Sequence, residues 1–143
     1  MESPIYEEVL QLSLDLVNAS SDGFTRDEER AYKTLADLCA LHKSTAMDHP
    51  LQWEALADFT SNADDAVAIY VEALTLARHL QLNDYVSSIL FAMAERYIAI
   101  GDKDAAFKCV VEARDVAALG DDDELQEVIF KMLANNWGKH SHQ

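Results

Sequence analysis

Apolar side chains recur along most of the chain at the spacing i, i+3, i+4, i+7, which places them on one face of a helix. Residues that begin and end helices stand between these segments, and together they predict seven helices. The predicted helices span roughly residues 4–19, 26–43, 50–59, 63–82, 83–101 or 84–101, 103–120 and 122–137. No segment alternates apolar and polar residues as a half-buried strand does, so the sequence predicts an all-α fold.

Local capping signals set several of the predicted helix starts. Ser3 followed by Pro4 predicts an N-cap with proline at the first helical position. Thr25 and Glu28 have the spacing of a capping box. Asn62 and Asp102 are predicted caps of later helices. These starts divide the chain into consecutive helices joined by short connections.

The chain contains an internal repeat with a period of 40 residues. Shifting the sequence by this period aligns Asp64–Ala77 with Asp104–Ala117, and six of the 14 aligned positions are identical. The same shift aligns the set Leu90, Met93, Ala94 and Tyr97 with the set Phe130, Leu133, Ala134 and Trp137. Because two successive types of helix keep one period, the pattern predicts repeated helical hairpins.

The repeated positions resemble the tetratricopeptide family, whose unit is a pair of antiparallel helices. The resemblance is carried by Leu90, Met93, Ala94 and Tyr97 on the first helix, Gly101 at the corner, and Ala106, Val110 and Ala113 on the second helix. The period exceeds the usual value of about 34 residues, as in the long-helix variants of the family. The resemblance covers residues 50–137, is most specific over 87–118, and implies hairpins stacked in a right-handed superhelical array.

A chain of 143 residues suits one domain that buries roughly 68–70% of its unfolded surface. We expect a single helical domain over residues 1–138, comprising an N-terminal hairpin (3–43) and the repeats (50–137), and then a flexible tail (139–143). Cys39 and Cys109 lie in apolar helical surroundings, which predicts buried, reduced thiols. With no signal peptide and no long apolar run, we expect a cytoplasmic protein outside the membrane.

The formal net charge of −15 constrains the partners. Phosphates carry the same sign, so the charge argues against nucleic acid and anionic membranes and favours a basic partner. Acidic residues cluster at positions 7–8, 27–29, 64–65 and 121–124. These clusters lie near predicted helix starts, where each carboxylate offsets the helix dipole by roughly 0.3–1 kcal/mol. Solubility and helix stability therefore account for them without any partner.

Candidate chemistry in the sequence is sparse. The pair Gly101 and Asp102 lacks the further glycines and the Gly-Lys-Ser/Thr that a phosphate loop needs. No predicted helix carries a His-x-x-x-His or Glu-x-x-His pair, and His140 and His142 lie in the predicted tail. The sequence thus predicts neither a cofactor nor a metal, and it favours a non-enzymatic protein; a small regulatory enzyme is the third hypothesis.

The family resemblance implies a concave groove as the functional surface. Its predicted lining residues are Ser88, Phe91, Glu95 and Ile98 on the fifth helix and Val128, Lys131 and Asn135 on the last helix. Apolar anchors beside an acid suit a basic or amphipathic segment of a partner protein. The N-terminal hairpin or a second copy of the chain is an alternative occupant of this stripe.

Two functions are therefore open at the sequence level. The first is a protein-binding module, an adaptor or a dedicated chaperone that holds a basic or amphipathic segment. The alternative is an acidic inhibitor or immunity-type protein that blocks a basic active site or mimics nucleic acid. Trp137, at the final repeat position, has three candidate roles: packing under the N-terminal hairpin, capping the array, or forming a homodimer contact.

Overall fold

The computed structural model describes residues 3–23 and 25–138, and this part of the chain forms seven α-helices and no strand. The helices are α1 (Tyr6–Asp22), α2 (Thr25–His42), α3 (Pro50–Asp58), α4 (Ala63–His79), α5 (Asn83–Ala99), α6 (Lys103–Ala117) and α7 (Asp123–Asn136). The predicted all-α class is confirmed. None of the helices described is long and apolar enough to cross a membrane. The predicted tail (139–143) lies outside the described residues.

The backbone contacts group the chain into two compact units, and the boundary between Leu76 and Ala77 falls within α4. In the first unit, α1 packs against α2, and both helices contact α3. In the second unit, α5 and α6 form the most extensive helix pair, and α6 also contacts α7. The pairs α1–α2, α2–α3, α5–α6 and α6–α7 are thus consecutive helices that pack together, which is consistent with a helical repeat array. The extent of a single domain over 1–138 stays a prediction.

The core of the first unit is built from helix faces that the apolar spacing marks. Leu16 of α1 is buried together with Leu35 and Cys39 of α2. Leu35 and Cys39 are four residues apart, so they lie on one face of α2. Ile69 of α4 packs on the same cluster. Tyr70 is also buried, and its hydroxyl donates a hydrogen bond to Asp58 at the end of α3.

At three of the helix starts, a side-chain oxygen accepts a hydrogen bond from the backbone N–H three residues later and so caps the helix. Asp102 accepts from the N–H of Ala105 at 3.1 Å, and Asp122 accepts from that of Leu125 at 3.0 Å. Asn62 accepts from the N–H of Asp65 at 3.0 Å. Such caps stabilise a helix by about 1 kcal/mol each. The predicted caps at Asn62 and Asp102 are therefore confirmed.

The predicted starts at Ser3 and Thr25 are wrong by one or two residues. Helix α1 begins at Tyr6 and has no side-chain cap. The hydroxyl of Ser3 instead donates to Gln52 Oε1 at 3.0 Å in a buried contact and accepts from the N–H of Ile5 at 3.3 Å. Thr25 is already the first residue of α2 rather than the residue that caps it.

The predicted end of α4 is also wrong, because the helix stops at His79. Gln81 takes a left-handed conformation with φ of 58°, which ends the helix before Leu82. The N–H of Leu82 then bonds to the carbonyl of Ala77 at 2.9 Å, and the N–H of Gln81 bonds to that of Arg78 at 3.1 Å. The chain therefore turns into α5 within three residues.

The corner between α5 and α6 has the geometry that the sequence predicts. Gly101 has φ of +83°, and its N–H bonds to the carbonyl of Ile98 at 3.1 Å. The N–H of Asp102 bonds to the carbonyl of Tyr97 at 2.9 Å, which completes a Schellman motif. A glycine fits here because a left-handed backbone is costly for residues with a Cβ atom. The stretch is a helix corner and not a phosphate loop.

The repeat is visible in the burial of the aligned helices α4 and α6. Four aligned pairs are buried in both helices: Ala66 and Ala106, Tyr70 and Val110, Ala73 and Ala113, and Ala77 and Ala117. On α5, the predicted repeat residues Leu90, Met93 and Ala94 are buried as well. Small residues at these positions let helix axes approach to the lower end of the usual range of about 8–10 Å.

Candidate functional site

The predicted stripe on α5 lies beside the buried face of the same helix. Ser88, Phe91 and Ile98 are half-buried, and Glu95 is exposed. The neighbouring residues Leu90, Met93 and Ala94 are buried and fix the orientation of the helix. The apolar edges of Phe91 and Ile98 therefore reach the surface on either side of a carboxylate, as the sequence predicts.

The predicted residues on α7 are all exposed. Val128, Lys131 and Asn135 lie on this helix, and the Nζ of Lys131 is 3.1 Å from the Oε1 of Glu127. Since α6 contacts both α5 and α7, the two predicted sets lie on the two helices that flank α6. Lys131 is thus part of a local ion pair, which lowers the net positive charge that it offers to a ligand.

Sequence reasoning missed an ion pair at the end of α4. Arg78 donates from Nη1 to Glu112 Oε2 at 2.6 Å and from Nη2 to Glu112 Oε1 at 3.0 Å. The hydrogen bonds that Arg78 donates to the Glu112 carboxylate raise the pKa of Arg78. Both side chains are partly exposed, so the pair contributes modestly to stability. A separation of 34 residues hides such a pair from any local pattern.

Trp137 finds an aromatic partner within the second unit. Its ring lies 5.3 Å from the ring of Phe107, with an angle of 60° between the planes, in an edge-to-face arrangement. The Nζ of Lys103 also donates to the carbonyl of Asn136 at 3.4 Å. These contacts join the start of α6 to the end of α7. A role of Trp137 in a homodimer contact stays a prediction.

The two thiols lie in environments that suppress their ionisation. Cys39 is fully buried, and its Sγ donates to the carbonyl of Gln52 at 3.3 Å. Burial, with a smaller effect of the Asp48 charge, raises the pKa of Cys39 to about 12. Burial also raises the pKa of Cys109, which is half-buried rather than buried as predicted. Because the thiolate is the nucleophilic form, neither residue is activated for catalysis at neutral pH.

The described residues also lack the ligand grouping of a metal centre. Over 3–23 and 25–138, no group of three or more His, Cys, Asp and Glu side chains is close enough to hold a metal ion. His49 is buried, but its Nδ1 accepts the N–H of Leu51 at 3.1 Å and so caps α3. His140 and His142 lie outside the described residues.

No family model, curated protein or solved structure matches the chain. The tetratricopeptide resemblance therefore depends on the chain's own residues, and family membership stays a prediction. The residues that carry it are nevertheless placed consistently: Leu90, Ala94, Ala106 and Ala113 are all buried in the α5–α6 hairpin.

The second unit also has an exposed apolar surface that the sequence prediction missed. On α7 it comprises Phe130, Leu133 and Ala134, and at the end of α6 it comprises Ala118; we call these four residues the terminal face. Phe130 is 70% exposed, and Leu133 is half-buried. A cavity of about 220 Å³ opens at the terminal face, and its lining residues are Phe130, Leu133, Ala118, Ile129, Ala117, Gln126 and Arg114. The 40-residue alignment pairs Phe130 with Leu90, and the comparison of these two positions reveals the exposed surface.

Proposed function

We propose that the protein is a non-enzymatic protein-binding module, an adaptor or a dedicated chaperone of tetratricopeptide type in the cytoplasm. The observation that carries the proposal is the stripe of Phe91, Glu95 and Ile98, where two accessible apolar edges flank an exposed carboxylate. Its ligand is a basic or amphipathic segment of a partner protein, lying in a groove lined by α5 and α7.

Each part of the stripe has a distinct role in this proposal. Phe91 and Ile98 are seven residues apart on one helix face, so they receive apolar side chains that are two helical turns apart. Glu95 lies between them and pairs with a Lys or Arg of the ligand. The formal charge of −15 steers a basic segment to the surface and speeds its association.

Charge reversal within the stripe tests the proposal. The tagged wild-type protein, Glu95→Lys and a matched control, Asp37→Lys, are used for affinity capture from the native cell with identification by mass spectrometry. Both substituted residues are exposed and both variants change the charge equally, but Asp37 lies on α2. We expect proteins retained by wild type and Asp37→Lys to be lost with Glu95→Lys.

Phe91→Ala provides the apolar arm of the same test. The loss of a half-buried ring should weaken partner binding while circular dichroism still shows a helical protein. Partners that bind wild type, Glu95→Lys and Phe91→Ala equally would place the binding site elsewhere and refute the groove.

A second candidate function is an acidic inhibitor of a basic active site. The acids at positions 64–65 and 121–124 are exposed at the starts of α4 and α7, which favours a role for negative charge itself. This function predicts that partner affinity falls steeply with salt and with neutralisation of these clusters, and that Phe91→Ala has little effect. The groove function predicts instead that Phe91→Ala lowers partner affinity more than salt or neutralisation of these clusters does.

A further inference from the structure

Aligned positions of α5 and α7 have very different exposure, and this difference marks the terminal face as an uncovered surface. Ile89 and its counterpart Ile129 are both buried, so this repeat position faces inward on both helices. Leu90 is 2% exposed, whereas its counterpart Phe130 is 70% exposed. The difference therefore affects the side of the helix that faces the next element of the array.

Helix α6 shows what covers this side in the preceding repeat. It packs along α5, and it brings Ala106, Val110, Ala113 and Ala117 to buried positions. Small side chains at a spacing of three to four residues form a smooth face that admits Leu90 and Met93. The terminal face offers Phe130, Leu133 and Ala134 in the corresponding places, so a helix with a similar small-residue face fits it.

The direction of such a helix follows from the same template. α6 runs antiparallel to α5, and its C-terminal end reaches the start of α5, since a Cβ at Gly120 would lie 3.2 Å from Asp84 Oδ1. A helix that covers α7 in this way ends beside the acids of residues 121–124, all of which are exposed. Lys or Arg in its last turns would pair with those carboxylates and also complement its own dipole.

We propose that the terminal face is a second docking surface and that it binds a partner's amphipathic helix with small apolar residues on one side and Lys or Arg in its C-terminal turns. Charge complementarity favours this occupant over a second copy of the chain, since two copies would bring together molecules of charge −15 each. The surface is separate from the stripe on α5, so this inference does not depend on the proposed groove.

A labelled peptide tests the proposal directly. The probe has the sequence of residues 102–119 with Cys109→Ala, Glu112→Lys and Asp115→Lys, which keeps the alanine face of α6 and makes its last turns basic. The control peptide carries only Cys109→Ala. Fluorescence anisotropy against the full chain should show the basic peptide binding at least about tenfold more tightly than the control peptide.

Two variants make the test specific. Phe130→Gln changes the terminal face, and Leu41→Gln replaces an apolar residue of α2 that lies outside both the terminal face and the predicted groove. Both side chains are exposed to a similar extent, so neither substitution should unfold the protein. We expect Phe130→Gln to weaken binding of the basic peptide at least about tenfold and Leu41→Gln to change it less than about twofold.

Three results would overturn the proposal. The first is failure of both peptides to bind, and the second is equal binding of the basic peptide to Phe130→Gln and Leu41→Gln. The third is a two-protomer mass in sedimentation that Phe130→Gln reduces to one protomer, because a second copy would then occupy the face. Because Phe130 lies outside the predicted groove, failure here leaves the groove proposal to its own experiment.

Discussion

The attachment of α7 to α6 depends mainly on one side chain, and truncation of that side chain should release the helix. Ile129 is the buried residue of α7, with 1% of its surface exposed. Replacement of a buried isoleucine by alanine costs about 2–5 kcal/mol, from lost transfer free energy and from the cavity left behind. We therefore predict that Ile129→Ala releases α7 locally while α5 and α6 stay folded.

The other contacts of α7 are too weak to compensate. Gln126 donates to the carbonyl of Ala117 at 2.9 Å, a bond worth about 0.5–1.5 kcal/mol net. The edge-to-face pair of Phe107 and Trp137 adds about 0.5–1.5 kcal/mol. Together these two terms lie at or below the loss expected at Ile129. Because the α5–α6 hairpin buries its own alanine-lined interface, it should not depend on α7.

Hydrogen exchange with mass spectrometry measures this release directly. A loss of 2 kcal/mol lowers amide protection by about 30-fold, so amides of α7 in Ile129→Ala should lose at least that factor. Amides in the α5–α6 hairpin should keep their protection within about threefold. Val128→Ala is the matched control, since it also truncates a β-branched residue of α7, but one that is 40% exposed. An equal loss of protection in α5, α6 and α7 would refute the reasoning, as would unchanged protection in α7.

Two further predictions concern backbone conformation and thiol ionisation. Gly101→Ala should lower the free energy of unfolding by about 1–2 kcal/mol, because φ is +83° although no atom would lie within 4 Å of the new Cβ. Gln81→Gly should raise the free energy of unfolding by up to about 1 kcal/mol, because Gln81 also has a positive φ of 58°. Urea denaturation measures both changes. Cys39 has a folded pKa of about 12 against an ordinary 9.0, so its contribution to stability is complete below pH 9 and is lost as the pH rises toward 12. The urea midpoint should therefore fall more steeply above pH 9 in wild type than in Cys39→Ala, and parallel curves would contradict this cause.

The features that the sequence predicted correctly are local ones. Asp102 caps α6 through an N–H three residues away, and Gly101 ends α5 through its own φ, so each signal and its effect lie within one turn of chain. The signal at Ser3 failed for the opposite reason. Its hydroxyl donates to Gln52, 49 residues away, and no pattern around residues 3–6 reveals that partner. Capping rules hold where no distant group competes for the capping atom.

The candidate site divides in the same way. The stripe of Phe91 and Ile98 was predictable, because repeat spacing identifies both the buried face of α5 and the residues beside it. The repeat aligns Phe130 with Leu90, but only Leu90 is buried. The exposure of Phe130 depends on whether another element packs on α7, and helical periodicity within one segment carries no information about such a neighbour.

Exposure alone would not single out Phe130, since isolated apolar residues are common on protein surfaces. Leu41 is 69% exposed and Leu119 is 75% exposed, and neither has an aligned, buried counterpart with which to compare it. Phe130 does have such a counterpart, because Leu90 occupies the same repeat position and is buried. The packing of α6 on α5 therefore serves as a template for the helix that binds α7. From it we infer that this helix has a face of small residues, runs antiparallel to α7 and has a basic C-terminal end. A helix without these three properties should not discriminate between Phe130→Gln and Leu41→Gln.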